Sequence, residues 1–458
     1  MPAYSGHGPL TRFERYGIWV WPLLAIGMGV MVELRSAFMD RRMTDFGCYA
    51  RAAWAVRAGE DIYSITDDNS FHFAYPPACA VAFLPLADAP TGEARPWMLP
   101  YAVSVGIWYV MSIGFLVWGV HATAAALQST SADPAVRTAP RYSRRWWYAR
   151  TLPLMLCLAP IGCSLSRGQV NLLLVFMVMM TFAAWVRGHG FRAGLWLAAA
   201  VCLKFIPGFL LLFVLWRRDA RALTGVATGL VVGVAIVPAL AWGPGGAVAV
   251  HERMLEAILL PAVGRDADQA RAKELMEMTA TDNQSIQATL HNFLYPTKAT
   301  RPPHADFGTK IAHLLITLAL TTGSLLAAGW RKDADPTRTL ILLGSLFLIM
   351  TIASPVSHTH YFVFAMPLMM GLIADSVARS GGFVGSVRSV AFLGLTGLMF
   401  ALPMIPIWEM RREAGLPLLA SLLLWGAGVR ALRRGRHAAA VVMPRQPMPR
   451  QEALAVAS

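Results

Sequence analysis

Four groups of polar residues interrupt a strongly apolar sequence, and the first is centred on Asp45. This aspartate follows the first apolar run and precedes an amphipathic stretch that begins at Tyr49. An aspartate before a helical run is a common N-cap. A carboxylate at the mouth of a membrane cavity can also take a proton from a hydroxyl nucleophile. We therefore expect Asp45 to be a general base, a helix cap, or both.

The second group is the polar segment from Ser354 to Tyr361, which lies between two apolar runs and contains His358 and His360. Histidines two residues apart point to different sides of a helix, so no metal pair is expected on a helix here. Polar side chains packed between membrane helices usually serve a functional site. The segment therefore favours a site over the alternative, an ordinary loop histidine.

The third group is a short turn between two apolar runs, made by Arg167, Gly168 and Gln169. Arginine and glutamine can donate hydrogen bonds to an anion or a sugar. The alternative is a capped hairpin whose arginine side chain extends to the membrane surface. The turn by itself does not decide between a binding role and a structural one.

The fourth group is a single lysine, Lys204, in the middle of an apolar segment. On insertion scales a lysine at the centre of a span costs on the order of 2.5–3.5 kcal/mol, so it normally has a partner or a function. A lipid-linked phosphate would suit it, and so would a carboxylate in a structural ion pair. The sequence leaves both alternatives open.

The elements that hold these residues are predicted to be membrane-spanning helices. The 458-residue chain is 56% hydrophobic and only 14% charged, with a mean hydropathy of +0.49. Its apolar runs are about long enough, at 1.5 Å per residue, to cross a hydrocarbon core of roughly 30 Å. Helices satisfy their own backbone hydrogen bonds in lipid, and the runs are too long for barrel strands. The predicted fold is an all-α, polytopic integral membrane protein.

Basic loops set the predicted orientation. Arginines cluster at 141–150, 187–192, 217–221 and 430–436, and loops of this kind stay in the cytoplasm. The loops that carry Arg167 and His358 have little positive charge and are predicted to face outward, with both termini cytoplasmic. About ten full spans are expected, near 17–34, 97–119, 151–166, 170–186, 222–242, 307–330, 339–355, 361–378, 390–405 and 416–432.

Two segments are predicted not to cross the membrane as straight helices. The segment 75–89 is too short to span comfortably and is expected to be re-entrant or interfacial. The segment 193–216 has Lys204 and Pro207 at its centre and basic residues at both ends. That pattern favours two half-length helices that enter the membrane and return. The expected total is about 10–13 membrane helices.

A single transmembrane domain is predicted for residues 1–436, with long outer loops at 35–96 and 243–306. Residues 437–458 are rich in Arg, Pro and Ala and are predicted to be a disordered cytoplasmic tail. Of the five cysteines, Cys48 and Cys79 lie on the predicted outer side and could form a disulfide. The cysteine spacing does not suggest a metal site.

Several function classes are disfavoured. The formal charge is +14, but the basic residues flank apolar runs, so nucleic acid is not an expected partner. The sequence has no P-loop, dinucleotide fingerprint, zinc-protease helix or nucleophile elbow. It has no carboxylate pair or His/Glu cluster that would hold a metal, and no cofactor is expected. A catalyst on the outer face would need a donor already attached to lipid.

Six blocks of residues, taken in order, resemble a known class of enzymes, the multi-spanning GT-C glycosyltransferases that use polyprenyl-phosphate sugars. Within that class the chain is similar to glycosyltransferase family 87, over roughly residues 15–380 and with little match between Gly243 and Asp282. The blocks are Thr44-Asp45-Phe46 with Tyr49 and Gly59 to Tyr63; Phe73 to Pro77 with Leu84 to Leu86; Arg167 to Asn171; Ala193 to Pro207; Asp282 to Ser285; and Ser354-Pro355 with His358 and His360.

The resemblance implies an inverting sugar transfer on a GT-C type fold. Asp45 matches the family's acidic residue in the first outer loop, the general base for the acceptor hydroxyl. Because the sugar leaves a polyprenyl phosphate, the leaving group is already an anion and needs little acid help. The other implied site residues are His360 or His358 beside Asp45; Lys204, Arg167 and Gln169 for the donor phosphate or lipid; and Tyr75, Asn283 and Gln284 for the sugar or acceptor.

The expected function is therefore transfer of a sugar from polyprenyl phosphate to a lipid or glycan hydroxyl. Mannose is the first expectation for the sugar, with arabinofuranose and glucose as alternatives. The enzyme is expected in the bacterial cytoplasmic membrane with its site facing outward. The main competing hypothesis is a transporter or flippase of a lipid-linked sugar. Transporters often repeat a broken helix pair in two halves, and here the broken segment has no counterpart.

Overall fold

In a computed structural model the described residues are 10–39, 42–93, 98–262, 275, 282–330, 335–380, 383–404 and 413–441. Within these ranges the chain is helical and forms no strand, apart from one isolated backbone bridge between Thr66 and His72. The prediction of an all-α membrane protein is therefore confirmed.

The α-helices vary widely in length, and short 3₁₀ or π segments extend several of them. The α-helices are α1 (Arg12–Phe38), α2 (Thr44–Ala58), α3 (Pro77–Ala82), α4 (Tyr101–Ser129), α5 (Pro134–Arg137), α6 (Arg144–Leu156), α7 (Leu158–Arg167), α8 (Asn171–Val186), α9 (Gly190–Leu203), α10 (Leu211–Arg217), α11 (Ala220–Leu230), α12 (Val237–Met254), α13 (Leu260–Ala262), α14 (Ile286–Leu294), α15 (Phe307–Ala328), α16 (Pro336–Ala353), α17 (Met366–Ser380), α18 (Phe383–Ala401) and α19 (Leu416–Val441).

Seven helices in the described part of the chain are long and apolar enough to cross a membrane, and an eighth span is obtained if α6 and α7, bent by 58°, count as one. This is fewer than the ten full spans expected. The difference lies mainly in short helices such as α8, whose 16 residues extend only about 24 Å at 1.5 Å per residue. These shorter apolar helices are packed inside the bundle or broken within it.

One helical stretch is much longer than predicted. Residues Ala220–Leu259 form one helical stretch of 40 residues, about 60 Å at 1.5 Å per residue and twice the thickness of a hydrocarbon core. Gly243 divides it, with φ 74° and ψ 167°, a conformation essentially restricted to glycine. The span 222–242 therefore ends where predicted, but a second helix continues from Pro244 into the region predicted as the outer loop 243–306.

The segments 75–89 and 193–216, which were predicted not to cross the membrane as straight helices, do contain short or broken helices. Helix α3 has six residues, about 9 Å, and a 3₁₀ turn at Leu84–Leu86 follows it. Helix α9 ends at Leu203, and the next residue, Lys204, has an extended backbone at φ −153° and ψ 136°. The chain then resumes as a 3₁₀ turn and α10. The break places a lysine side chain where irregular backbone is surrounded by protein.

Helix α16 is the most buried of the candidate spans in the described part of the chain and packs against α15, α17 and α19. The polar segment from Ser354 to Tyr361 directly follows this helix and lies at one end of the bundle. Cys48 and Cys79 are both buried and are not joined by a disulfide, so the bridge considered from sequence is not formed. Helix α19 runs to Val441, five residues past the predicted domain boundary at 436, and the rest of the predicted tail lies outside the described residues.

Candidate active site

Asp45 lies in the first turn of α2, where a negative charge is stabilised by the helix dipole. The N-cap position belongs to Met43, and no side chain caps the helix, so the capping role considered for Asp45 is not what the structure shows. One carboxylate oxygen, Oδ2, accepts hydrogen bonds from Arg167 Nε at 2.8 Å and Thr44 Oγ1 at 3.2 Å. Among the described residues, no donor occupies Oδ1, and the side chain is 19% exposed.

The turn that carries Arg167 joins α7 to α8 and faces Asp45. Trp108 of α4 fixes the turn by donating from Nε1 to the carbonyl oxygen of Gly168 at 2.8 Å. Arg167 uses Nε for Asp45, while its two Nη groups have no hydrogen-bond partner within the described ranges. Gln169 is buried, and its Oε1 accepts from the Tyr49 hydroxyl at 3.2 Å. Both polar side chains predicted in the turn, Arg167 and Gln169, therefore contact other residues of the candidate site.

Lys204 is buried with neutral partners. Its Nζ donates to the Tyr361 hydroxyl at 3.1 Å and to Asn171 Oδ1 at 3.3 Å. It also lies 4.3 Å from the centroid of the Tyr361 ring and 5.3 Å from that of Tyr75, distances typical of cation–π contacts. In the part of the chain that the structure describes, no carboxylate pairs with Lys204. The structural ion pair considered from sequence is thus not found there, and a buried cation without a counter-ion favours an anionic ligand.

Tyr75 and Tyr49 form a hydrogen-bonded pair between Lys204 and the turn. Their hydroxyls are 3.0 Å apart, and the rings meet edge to face with centroids 4.9 Å apart. Burial, reinforced by nearby groups that include Asp45, raises the pKa of both hydroxyls well above the usual range. The two tyrosines therefore act as neutral hydrogen-bonding groups at any physiological pH.

His358 and His360 lie side by side in different surroundings. His358 Nδ1 is 3.0 Å from Asp282 Oδ2, and its side chain is 25% exposed. Burial raises the pKa of Asp282, but the hydrogen bond and charge of His358, together with Arg167, outweigh burial and hold that pKa below its usual value. His360 is 2% exposed, and its Nε2 has no hydrogen-bond partner among the described residues.

Asn283 and Gln284 hold two segments at this end of the bundle together. Asn283 donates from Nδ2 to the carbonyl oxygen of Pro355 at 3.0 Å, and its Oδ1 accepts from the amide of Ser357 at 3.0 Å. The amide of Gln284 donates to the carbonyl oxygen of Ser357 at 2.8 Å. Both side chains are buried. These contacts fix the loop that carries Asp282 against the loop that carries His358.

The structure thus brings all nine predicted site residues to one end of the bundle. An open rim contains Asp45, Arg167 and His358, and a buried floor contains Lys204 and His360. Four more residues of the sequence motifs contact the site, although the motifs alone gave them no role: Tyr49, Asn171, Asp282 and Tyr361. Their position inside polar blocks flanked by apolar runs was the available signal.

The model of glycosyltransferase family 87 matches residues 73–355, more than half of the chain. The chain belongs to glycosyltransferase family 87. Asp45, His358 and His360 lie just outside the matched range, whereas Tyr75, Arg167, Gln169, Lys204, Asn283 and Gln284 lie inside it.

Two curated relatives of this family 87 chain carry the same name, polyprenol-phosphate-mannose-dependent alpha-(1-2)-phosphatidylinositol mannoside mannosyltransferase. The protein from Mycobacterium tuberculosis (strain ATCC 25618 / H37Rv) is 27% identical over 81% of this chain and 81% of its own length. The protein from Mycolicibacterium smegmatis (strain ATCC 700084 / mc(2)155) is 27% identical over 88% of this chain and 82% of its own. A third relative from the latter organism, a pentamannoside mannosyltransferase, is 28% identical over 76% of this chain and 72% of its own length. The chain is a multi-pass membrane glycosyltransferase.

Proposed function

We propose that this enzyme transfers mannose from a polyprenyl phosphate to a hydroxyl group of a membrane lipid or glycan on the outer face of a bacterial cytoplasmic membrane. The observation that supports the proposal is that one carboxylate, Asp45, keeps an oxygen without a donor among the described residues and lies near two cations. Arg167 binds Asp45 through Nε and has two Nη groups without a hydrogen-bond partner in the described ranges, and buried Lys204 has no carboxylate partner there. A base for the acceptor and cations for a phosphate are the two requirements of this reaction.

Asp45 is the proposed general base. Arg167 and Thr44 both engage Oδ2, which leaves Oδ1 to accept a hydrogen bond from the acceptor hydroxyl. As the hydroxyl oxygen attacks the anomeric carbon, its proton moves to Oδ1, and the bond from the anomeric carbon to the phosphate oxygen breaks. Attack opposite the leaving group inverts the anomeric configuration. The bonding electrons leave with the polyprenyl phosphate.

The leaving phosphate is proposed to lie between Arg167 and Lys204. The two free Nη groups of Arg167 can donate side by side to phosphate oxygens. Lys204 is held by Tyr361 and Asn171, so its ammonium group is oriented before the donor binds. Positive groups fixed where negative charge develops stabilise the transition state without reorganisation. His358, supported by Asp282, is the further cationic candidate beside the phosphate, with His360 behind it.

The identity of the sugar and the class of acceptor rest on the relatives. Their printed names specify polyprenol-phosphate-mannose as donor and phosphatidylinositol mannosides as acceptors. Mannose is therefore favoured over arabinofuranose and glucose, and a glycolipid hydroxyl over a soluble acceptor. The proposed outward orientation of the site and the cytoplasmic termini rest on the basic loops, which lie at the opposite ends of the helices.

The test is replacement of Asp45 by asparagine, which preserves size while removing the base. Purified enzyme is incubated with radiolabelled polyprenyl phosphates carrying mannose, arabinofuranose or glucose and with a membrane lipid extract. We expect wild type to move label only from the mannose donor. Asp45→Asn should slow transfer about 10²–10⁴-fold, the usual contribution of a general base.

Asp219→Asn is the matched control, because Asp219 caps α11 through a bond to the amide of Ala222 at 3.1 Å, a role that asparagine retains. Full activity in a well-folded Asp45→Asn variant would remove Asp45 from the mechanism. If the wild-type enzyme transfers or releases sugar from none of the donors, the transporter or flippase hypothesis is favoured.

A further inference from the structure

A cavity of about 460 Å³ lies away from the site, among α4, α6, α17 and the start of α16. This volume is typical of a binding pocket for a small ligand. One wall is apolar and includes Leu127, Met370 and Ile373, and the opposite wall contains Arg145 and Arg150. Nothing in the proposed transfer reaction uses this cavity.

The cavity and the proposed active site lie at opposite ends of the same helices. Trp108 of α4 bonds the turn at Gly168, whereas Gln128 of the same helix lines the cavity. The separation is about 30 Å at 1.5 Å per residue. Likewise, α6 begins at the cavity, and α7, which continues it, ends at Arg167 in the site. By the charge of the loops, the cavity is on the cytoplasmic side of the membrane.

Among the described residues, the two arginines of the cavity lack close anionic partners. Arg150 is 8% exposed, and its Nε donates to His121 Nδ1 at 3.3 Å, an interaction that requires a neutral acceptor nitrogen. Arg145 has Nε and Nη1 buried without a hydrogen bond. Its nearest carboxylate among the described residues, Asp133, is 3.8 Å away and mostly exposed. Burying guanidinium groups in this way costs desolvation free energy unless an anion pairs with them.

The other carboxylates of the cavity are already engaged. Asp375 pairs with Arg379 at 2.6 Å, and Asp335 caps α16 by accepting from the amide of Thr337 at 2.8 Å. Neither neutralises Arg145 or Arg150. The cavity therefore combines an apolar wall with two cations that can accept an additional anion.

The surroundings of the cavity are those of a membrane interface. Trp146 and Tyr148 line it, and aromatic side chains with adjacent arginines are typical of the level of lipid headgroups. Basic pockets between membrane helices on the cytoplasmic side bind anionic headgroups. We propose that this cavity binds the phosphate of an anionic membrane lipid of the inner leaflet, with Arg145 and Arg150 on the phosphate and the acyl chains along the apolar wall.

The experiment titrates the purified full chain, in a nonionic detergent, with dihexanoyl phosphatidylglycerol by calorimetry. Dihexanoyl phosphatidylcholine tests whether net negative charge is needed, and inorganic phosphate tests whether the anion alone suffices. We expect phosphatidylglycerol to bind and the other two to bind at least tenfold more weakly. Arg145→Gln and Arg150→Gln should each weaken phosphatidylglycerol binding about tenfold or more, as expected for a lost charged hydrogen bond.

Two further variants keep the result interpretable if Arg150→Gln folds poorly. Ala374→Trp fills the cavity from its apolar wall without changing charge and should abolish binding. Arg192→Gln removes an exposed arginine from the start of α9 and should leave binding unchanged. Equal binding of phosphatidylcholine, or unchanged binding in Arg145→Gln and Ala374→Trp, would overturn the proposal. Inorganic phosphate binding as tightly as the lipid would overturn the lipid as the source of the phosphate.

Discussion

Asp45 and Lys204 carry opposite charges and lie at different depths in the protein. The difference in depth separates the proposed activation of the acceptor at Asp45 from the proposed binding of the donor phosphate at Lys204. Asp45 lies on the open rim, with 19% of its side chain exposed, where an acceptor hydroxyl can arrive from outside. Lys204 is 7% exposed and lies where water is scarce and a cation interacts strongly with a phosphate. The tyrosine pair and Gln169 lie between them and keep the two charges apart.

Replacing Lys204 by methionine tests the proposed role of this buried cation in binding the donor phosphate. The change removes the ammonium group but keeps an unbranched side chain of similar length. Because the donor phosphate is charged in both ground and transition states, we expect the KM for the donor to rise about tenfold or more, with a further fall in kcat. Steady-state kinetics with the labelled mannose donor measure both constants.

Lys310→Met is the control for Lys204→Met, since Lys310 is exposed at the start of α15 and has no part in the site. Unchanged donor kinetics in a folded Lys204→Met variant would show that Lys204 only stabilises the bundle. In that case the loss would appear in the thermal unfolding midpoint and not in KM.

Asp282 and His358 are expected to act as a unit. Their side chains are 3.0 Å apart, and the lowered pKa of Asp282 keeps its carboxylate charged under all ordinary assay conditions, so it can support a cationic imidazole. Asp282→Asn and His358→Gln should each lower kcat/KM about tenfold, and the double variant should lose little more than either single one. A double-mutant cycle measures this coupling.

His189→Gln, at an exposed position in a loop far from the site, should leave kcat/KM unchanged and controls for the loss of any histidine. Strictly additive losses in the cycle would mean that Asp282 and His358 serve the reaction independently. His360→Gln, measured alongside, indicates whether the buried histidine contributes separately.

At the scale of elements, the broken segment depends on close packing between α9 and α11. A Cβ placed on Gly194 of α9 would collide with the carbonyl oxygen of Ala222 and approach the amide of Val226, both backbone atoms of α11. Backbone cannot yield as a flexible side chain can. Small residues at such crossings let membrane helices approach closely, and this crossing holds the helix that precedes Lys204.

Gly194→Ala is therefore expected to destabilise the protein by about 1–3 kcal/mol through overpacking. Gly114→Ala in α4 is the matched control, because nothing lies within 4 Å of a Cβ placed there, and alanine in a helix is favoured over glycine by about 0.5–1 kcal/mol. Thermal unfolding in detergent should thus shift in opposite directions for the two variants. A stable, fully active Gly194→Ala enzyme would contradict the close approach of α9 and α11.

The elements show which features the sequence could predict and which it could not. Apolar runs predict helices because lipid leaves the backbone no other partner, and Lys204 with Pro207 predicts the break after α9. Composition did not reveal the continuation beyond Gly243, since residues 244–262 carry charges typical of a loop. The contact of Asp45 with Arg167 joins residues far apart in sequence, and the Asp282–His358 pair likewise depends on how two loops meet. Such contacts are determined by packing and not by periodicity.

At the scale of the whole molecule, the helices separate two charged ends. One end holds the proposed active site with Asp45 and Lys204, and the other holds the basic loops and the cavity with Arg150. Positively charged loops resist translocation, so the arginines of the basic loops support the proposed orientation, with the site on the outer face. A donor whose sugar is already attached to lipid is consistent with this arrangement, because nucleotide donors are cytoplasmic.

This orientation predicts which side of the membrane each loop can be labelled from. In a Cys163→Ser background, whose four remaining cysteines are all buried, we introduce Lys298→Cys or Arg192→Cys, both at exposed positions. Intact cells treated with a membrane-impermeant maleimide should label Lys298→Cys, while Arg192→Cys should react only after permeabilisation. The unsubstituted background gives the baseline in both conditions. Labelling of Arg192→Cys in intact cells, with Lys298→Cys protected, would invert the bundle, place Asp45 in the cytoplasm and require a donor presented on that side.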